Sequence, residues 1–128
     1  MNSLVEYLQK HPDLLAGIGV SADAVRDAET KLSTSFSNEY RDYLLSFGIA
    51  ALNGHELTGL GSSKRVNVVD VTLANRERYK GTNQLYVVEE ANIDGIVIWQ
   101  SSAGEIYQTL LGEDPIKYAE SLFEYVKA

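Results

Sequence analysis

The chain has 128 residues, 45% of them hydrophobic and 23% charged, with two prolines, two histidines, no cysteine and a formal net charge of −7. The missing cysteines exclude a disulfide framework and a thiolate metal site, and the excess acid repels phosphates, which argues against direct binding of nucleic acid. No run approaches the ~20 consecutive apolar residues of a membrane helix, and "MNSLVEYLQK" lacks the basic stretch and apolar core of a secretion signal. The expectation is one cytoplasmic domain spanning residues 1–128, with no membrane partner.

The first segment, "SLVEYLQKHP", sets Leu4, Val5 and Leu8 on one helical stripe, with Ser3 as N-cap and Pro12 as the stop. Residues 16–21, "AGIGVS", read as a flexible connection. Ser21 then caps a second helix, in which Asp23 complements the positive end and Val25, Ala28 and Leu32 share a face. In "FSNEYRDYLLSFG" (36–48), Ser37 is the N-cap and Gly48 the C-cap. Tyr40, Tyr43, Leu44 and Phe47 recur at i, i+3, i+4 and i+7, which leaves Glu39, Arg41 and Asp42 facing water.

The period then changes. Asn53-Gly54 signals a tight turn before a short strand at 56–60. "RVNVVDVTLANRERYKG" opens as a valine-rich strand and turns into a short polar helix over 72–80, with Thr72 as cap. Three strand-like runs follow at 85–90, 95–100 and 105–111, separated by four-residue joints that suit an antiparallel meander. Such joints set Glu90 opposite Gly95, Gln100 opposite Glu105, and Tyr86 opposite Trp99 with Ile106 beyond. Last, Asp114 and Pro115 open a closing amphipathic helix carrying Tyr118, Leu122, Phe123 and Val126. Helices, then strands, then a helix make an α+β fold, with helices packed on a mostly antiparallel sheet.

Motifs for chemistry are sparse. "GIGVSA" (17–22) loosely matches a dinucleotide fingerprint, but a Pro-broken helix precedes it where a strand is required, and "GLGSS" (59–63) lacks the lysine of a phosphate loop. His11 and His55 stand far apart without an HxH or HExxH companion, so neither a metal nor another cofactor is expected. His55 is a candidate general base with no nucleophile pointed to by sequence. Glu89, Glu90 and Asp94 cluster at one predicted hairpin end, where they read better as an acidic contact rim than as a catalytic pair. No enzyme is expected.

The run from Val25 to Gly61 resembles the SUKH superfamily, the Smi/Knr-type domain. Val25, Glu29 and Leu32 fit its apolar-x-x-x-Glu-x-x-Leu helix. Phe36, Tyr40, Tyr43, Leu44 and Gly48 fit the following helix and its glycine, and Glu56, Leu57, Gly59 and Leu60 fit its glycine-containing strand. "VVDVTLANRERY", "YVVEEANIDGIVIWQSSAGEIYQ" and "SLFEYV" look like its middle helix, meander and closing helix, extending the resemblance over residues 20–127. Ser37 stands where the family usually has proline, and Gly48-Ile49-Ala50 intervenes before Asn53-Gly54. The resemblance implies an immunity protein that neutralises a toxin domain, often a nuclease, or else a regulatory interaction module of cell-wall assembly. It also implies that Glu29 and Tyr40 determine the fold. A basic toxin domain suits a chain of charge −7 through faster electrostatic encounter. The candidate partner-binding residues are Glu89, Glu90 and Asp94 for steering, with Trp99 or Tyr86 as an aromatic anchor where exposed.

Overall fold

The computed structural model describes residues 2–61, 63–91 and 95–128. Helix α1 (Ser3–Lys10) buries Leu4, Val5 and Leu8 as its stripe requires. Its N-cap is Asn2 and not Ser3: the Asn2 side chain accepts the Val5 N–H at 2.9 Å. The same amide donates to Asp42 Oδ2 of the third helix at 3.2 Å, a second contact that a cap at Ser3 would forgo. The stretch after Pro12 is tied down instead of loose. Strand β1 (Leu15–Ala16) pairs with β2 (Ala50–Leu52), the Gly17 N–H donates to Ile49 O and the Val20 N–H to Leu44 O.

Helices α2 (Ala22–Leu32) and α3 (Asn38–Phe47) follow the sequence reading closely. Ser21 and Ser37 accept the N–H groups of Ala24 and Tyr40, and Val25, Ala28, Leu32, Tyr40, Tyr43, Leu44 and Phe47 are buried. Glu29 locks the two helices together: its Oε2 accepts the Phe36 N–H at 2.8 Å and the Arg41 guanidinium at 2.9 Å. Gly48 closes α3 at φ +70°, and a Cβ there would lie 2.4 Å from Ile18 O. Asn53 and Gly54, both at positive φ, turn β2 into β3 (His55–Glu56), the pattern of a type I′ hairpin.

Three expectations give way. Helix α4 (Val68–Arg78) begins inside the valine run, because Asn67 Oδ1 accepts the N–H groups of Val69 and Asp70 while Val68 and Val71 find a core to fill. Cap and burial outweigh β-propensity there. Thr72 consequently lies within the helix, where its hydroxyl accepts the Val87 N–H. Residues 116–119 are a strand, not a helix. The closing helix α5 is confined to Leu122–Lys127 and is capped by Ser121, which accepts the Glu124 N–H. Glu39, expected to face water, reaches across the fold: its carboxylate accepts the N–H groups of Leu122 and Phe123 and the Gln100 amide, at 2.8, 3.0 and 2.8 Å.

The meander is a four-stranded antiparallel sheet in the order β4 (Tyr86–Glu90), β5 (Val97–Gln100), β6 (Ile106–Thr109) and β7 (Ile116–Ala119). Its register differs from expectation. Tyr86 opposes Gln100, Val87 opposes Trp99, Glu90 opposes Val97 and Gln100 opposes Ile106. The β5–β6 turn closes on a Ser101–Glu105 bond, with Gly104 at φ +100°, so three residues instead of four make the loop. An irregularity between Val87 and Glu89 displaces β4 further.

Two hydrophobic clusters occupy the two faces of this sheet. Tyr86, Val88, Ile98 and Ile106 join α1, α2, α3 and α5, while Val87, Val97 and Trp99 pack with Val71 and Tyr79. The β4 edge is closed: the Thr58 N–H donates to Val88 O, the Thr58 hydroxyl to Val87 O, and the Val87 N–H to Thr72.

Candidate functional site

Covering β4 on both faces decides the fate of the sequence-predicted site. Glu89 is 5% exposed. Its Oε1 lies 2.9 Å from His55 Nδ1 and accepts the Tyr125 hydroxyl at 2.6 Å, while its Oε2 accepts the Glu56 N–H at 2.7 Å. A carboxylate so enclosed is an organising centre and not a rim charge. Its neighbour Glu90 is exposed, with one oxygen held by the Asn75 amide at 3.0 Å. Asp94, the third acidic candidate, lies outside the described residues.

The two aromatic candidates are core. Trp99 is fully buried, donates from its indole N–H to Thr109 Oγ1 at 2.8 Å and meets Tyr79 edge to face. Tyr86 is also fully buried. Its hydroxyl donates to Gln100 Oε1 and accepts the Ser37 N–H, and burial pushes its phenol pKa up. Neither meets the condition of exposure that an anchor requires, because both faces of the sheet are packed at β4 and β5, Tyr86 joining one cluster and Trp99 the other.

The structure assembles a different surface above Glu89. Tyr125 of α5 stands edge to face with His55 of β3 at 5.1 Å and with Tyr118 of β7 at 5.9 Å. Burial, then the Glu89 carboxylate, pushes the Tyr125 phenol up, so it stays a neutral donor. Tyr118 is 58% and Ile116 60% exposed. This strip of His55, Tyr125 and Tyr118 is drawn from three elements: the buried Glu89 carboxylate holds His55 and Tyr125, and Tyr118 leans on Tyr125. Beside it Glu56 binds the Arg65 guanidinium through both oxygens, which holds its carboxyl below the usual range.

Sequence reasoning assigned Tyr118 to a helix and read His55 as a lone histidine. The signal that could have found the strip is Ser121-x-x-Glu124, a helix-start pattern that frees Ile116-Lys117-Tyr118 to be a strand.

The glycine stretches serve packing. A Cβ at Gly19 would come 1.9 Å from Leu45 O and one at Gly59 2.1 Å from Gly48 O, so both glycines permit close backbone approach. Among the described residues there is no group of three or more histidine or acidic side chains placed to hold a metal ion. No described helix is long and apolar enough to cross a membrane.

Helices α1, α2, α3 and α5 around one sheet face and α4 on the other define an α+β scaffold of the SUKH type. The SUKH_5 family model, described as SMI1-KNR4 cell-wall, matches residues 1–128, and the chain belongs to this family. The match takes in α1, which precedes the region of motif resemblance. No curated protein matches the chain.

Proposed function

We propose that this protein is a non-enzymatic immunity protein that binds a cognate bacterial toxin domain in the cytoplasm and blocks its active site or its access to substrate. Membership of the SMI1-KNR4 family supports a role in protein interaction or immunity. The observation that carries the reading to a surface is the exposed Tyr118, set edge to face on the half-buried Tyr125 and flanked by exposed Ile116, on a chain of net charge −7. Tyrosine supplies contact area at low entropic cost and is favoured at interface centres. Excess acid accelerates encounter with a cationic partner such as a nuclease, whose own surface is shaped for phosphate.

The second reading is a regulatory interaction module of the cell-wall-assembly type, which the description of the matching family favours. Co-expression with a toxin-domain protein encoded beside this chain separates the two. Cell survival together with a co-purifying complex, whose on-rate falls with salt, is the result expected of immunity. Cell death without a complex overturns it and leaves the regulatory reading, for which the partner is a host protein.

A further inference from the structure

The two edges of the four-stranded sheet are unlike. The β4 edge is sealed by Thr58 and Thr72, whereas β7, among the described residues, pairs only with β6. An unsealed edge strand turns alternate N–H and C=O groups toward solvent, a template for another extended chain. Apolar side chains frame this one: Leu111, Ile116 and Tyr118 are 64%, 60% and 58% exposed.

Its charge selects the occupant. Within residues 113–120 Glu113, Asp114 and Glu120 accompany one cation, Lys117, and Glu105 reaches the strand from just before β6. That ammonium is already engaged, 3.0 Å from Glu105 and 2.8 Å from Glu120. The edge therefore carries a local excess of three negative charges, four carboxylates less one ammonium. A second copy pairing antiparallel through β7 would bring this excess against itself, with no new cation to offset it.

We infer that β7 is a docking edge that takes an extended segment of a partner protein, bearing Lys or Arg between apolar residues, as a fifth antiparallel strand. The inference rests on the partner-binding reading above and says where and how that partner engages. Main-chain hydrogen bonds to β7 supply affinity, apolar side chains lie along Ile116 and Tyr118, and the cations reach Glu113, Asp114 and Glu120. Four residues of strand span about 13 Å, so a segment of similar length is what the edge accommodates.

The probe is a capped heptapeptide alternating Lys or Arg with Val or Ile, titrated onto the full chain while amide exchange is followed by NMR. The expected result is slowed exchange at alternate amides of residues 116–119 and affinity that falls with salt. N-methylation of the peptide's alternate apolar residues keeps its charge and removes donors, and should weaken binding about tenfold, two net main-chain bonds of roughly 0.7 kcal/mol each.

Equal binding by the methylated peptide, protection confined to other elements, or dimerisation of the chain through β7 would overturn the inference. A toxin domain that is bound and neutralised while the β7 amides exchange freely in the complex also overturns it, and leaves the immunity reading standing. Protection of β7 by the peptide without rescue in co-expression does the reverse.

Discussion

Glu89 and Glu90 are adjacent, chemically identical and at the end of one strand, yet their replacement should have very different consequences. Glu89→Ala removes the acceptor for the Glu56 N–H, the Tyr125 hydroxyl and His55, three contacts between 2.6 and 2.9 Å around a side chain that is 6% exposed. Hydrogen bonds to a charged acceptor contribute about 1.5–3 kcal/mol each. Tyr125 and His55 retain partial access to water and recover part of that. About 1 kcal/mol per contact survives this discount, giving a loss of about 3 kcal/mol and a fall in Tm of roughly 10 °C for a chain of this size.

Glu90→Ala loses one amide contact at an exposed position, with an expected cost near 0.5 kcal/mol. Urea unfolding followed by Trp99 fluorescence measures both, since Trp99 is fully buried in the native state. A cycle with Tyr125→Phe isolates the Tyr125–Glu89 term. Equal midpoints for the two alanine variants, or a Glu89→Ala protein within about 0.5 kcal/mol of wild type, would refute the view that Glu89 organises this surface.

Gly59→Ala should destabilise by about 3 kcal/mol, the upper end of overpacking costs, since its Cβ would meet the Gly48 carbonyl oxygen at 2.1 Å and backbone cannot easily yield; chemical denaturation checks it. Tyr118→Ala should cost under about 1 kcal/mol of stability, because the residue is exposed and its main aromatic contact is Tyr125. The same change should weaken the partner complex by about 2 kcal/mol if Tyr118 anchors it, as calorimetry on the co-purified complex would show.

In the native protein the bonds from Lys117 and Tyr107 hold the Glu105 carboxyl below the usual range. A depressed folded pKa means a contribution that is present above the unfolded value and is lost as pH falls through the folded one. Carbon-detected NMR titration should find Glu105 titrating low in wild type and moving up toward the ordinary value in Lys117→Met; no movement would rule out the Lys117 pairing.

The parts of this protein that were legible in the sequence are those written as steps of one to four residues along the chain. The stripes Val25-Ala28-Leu32 and Tyr40-Tyr43-Leu44-Phe47, the caps at Ser21 and Ser37, and the Asn53-Gly54 turn hold because a helix period, a cap bond or a turn joins near neighbours. The α+β class and the meander follow from the order of such pieces. The SUKH resemblance rests on the same local signatures, which explains why it identified the fold and named no contact surface.

What tertiary structure alone decided are the relations between residues far apart in the chain. Whether Glu89 or Glu90 is buried depends on the Glu56 N–H, 33 positions away, and on Tyr125, 36 positions away. Glu39 left the solvent because the start of α5, 83 positions later, presents N–H groups that need an acceptor. Residues 116–119 became a strand because β6 offers an open ladder, so Tyr118 moved from an expected core to an exposed position. A buried polar group takes its partner from whatever the fold brings within about 3 Å, and that neighbourhood comes into being only when the chain has closed on itself.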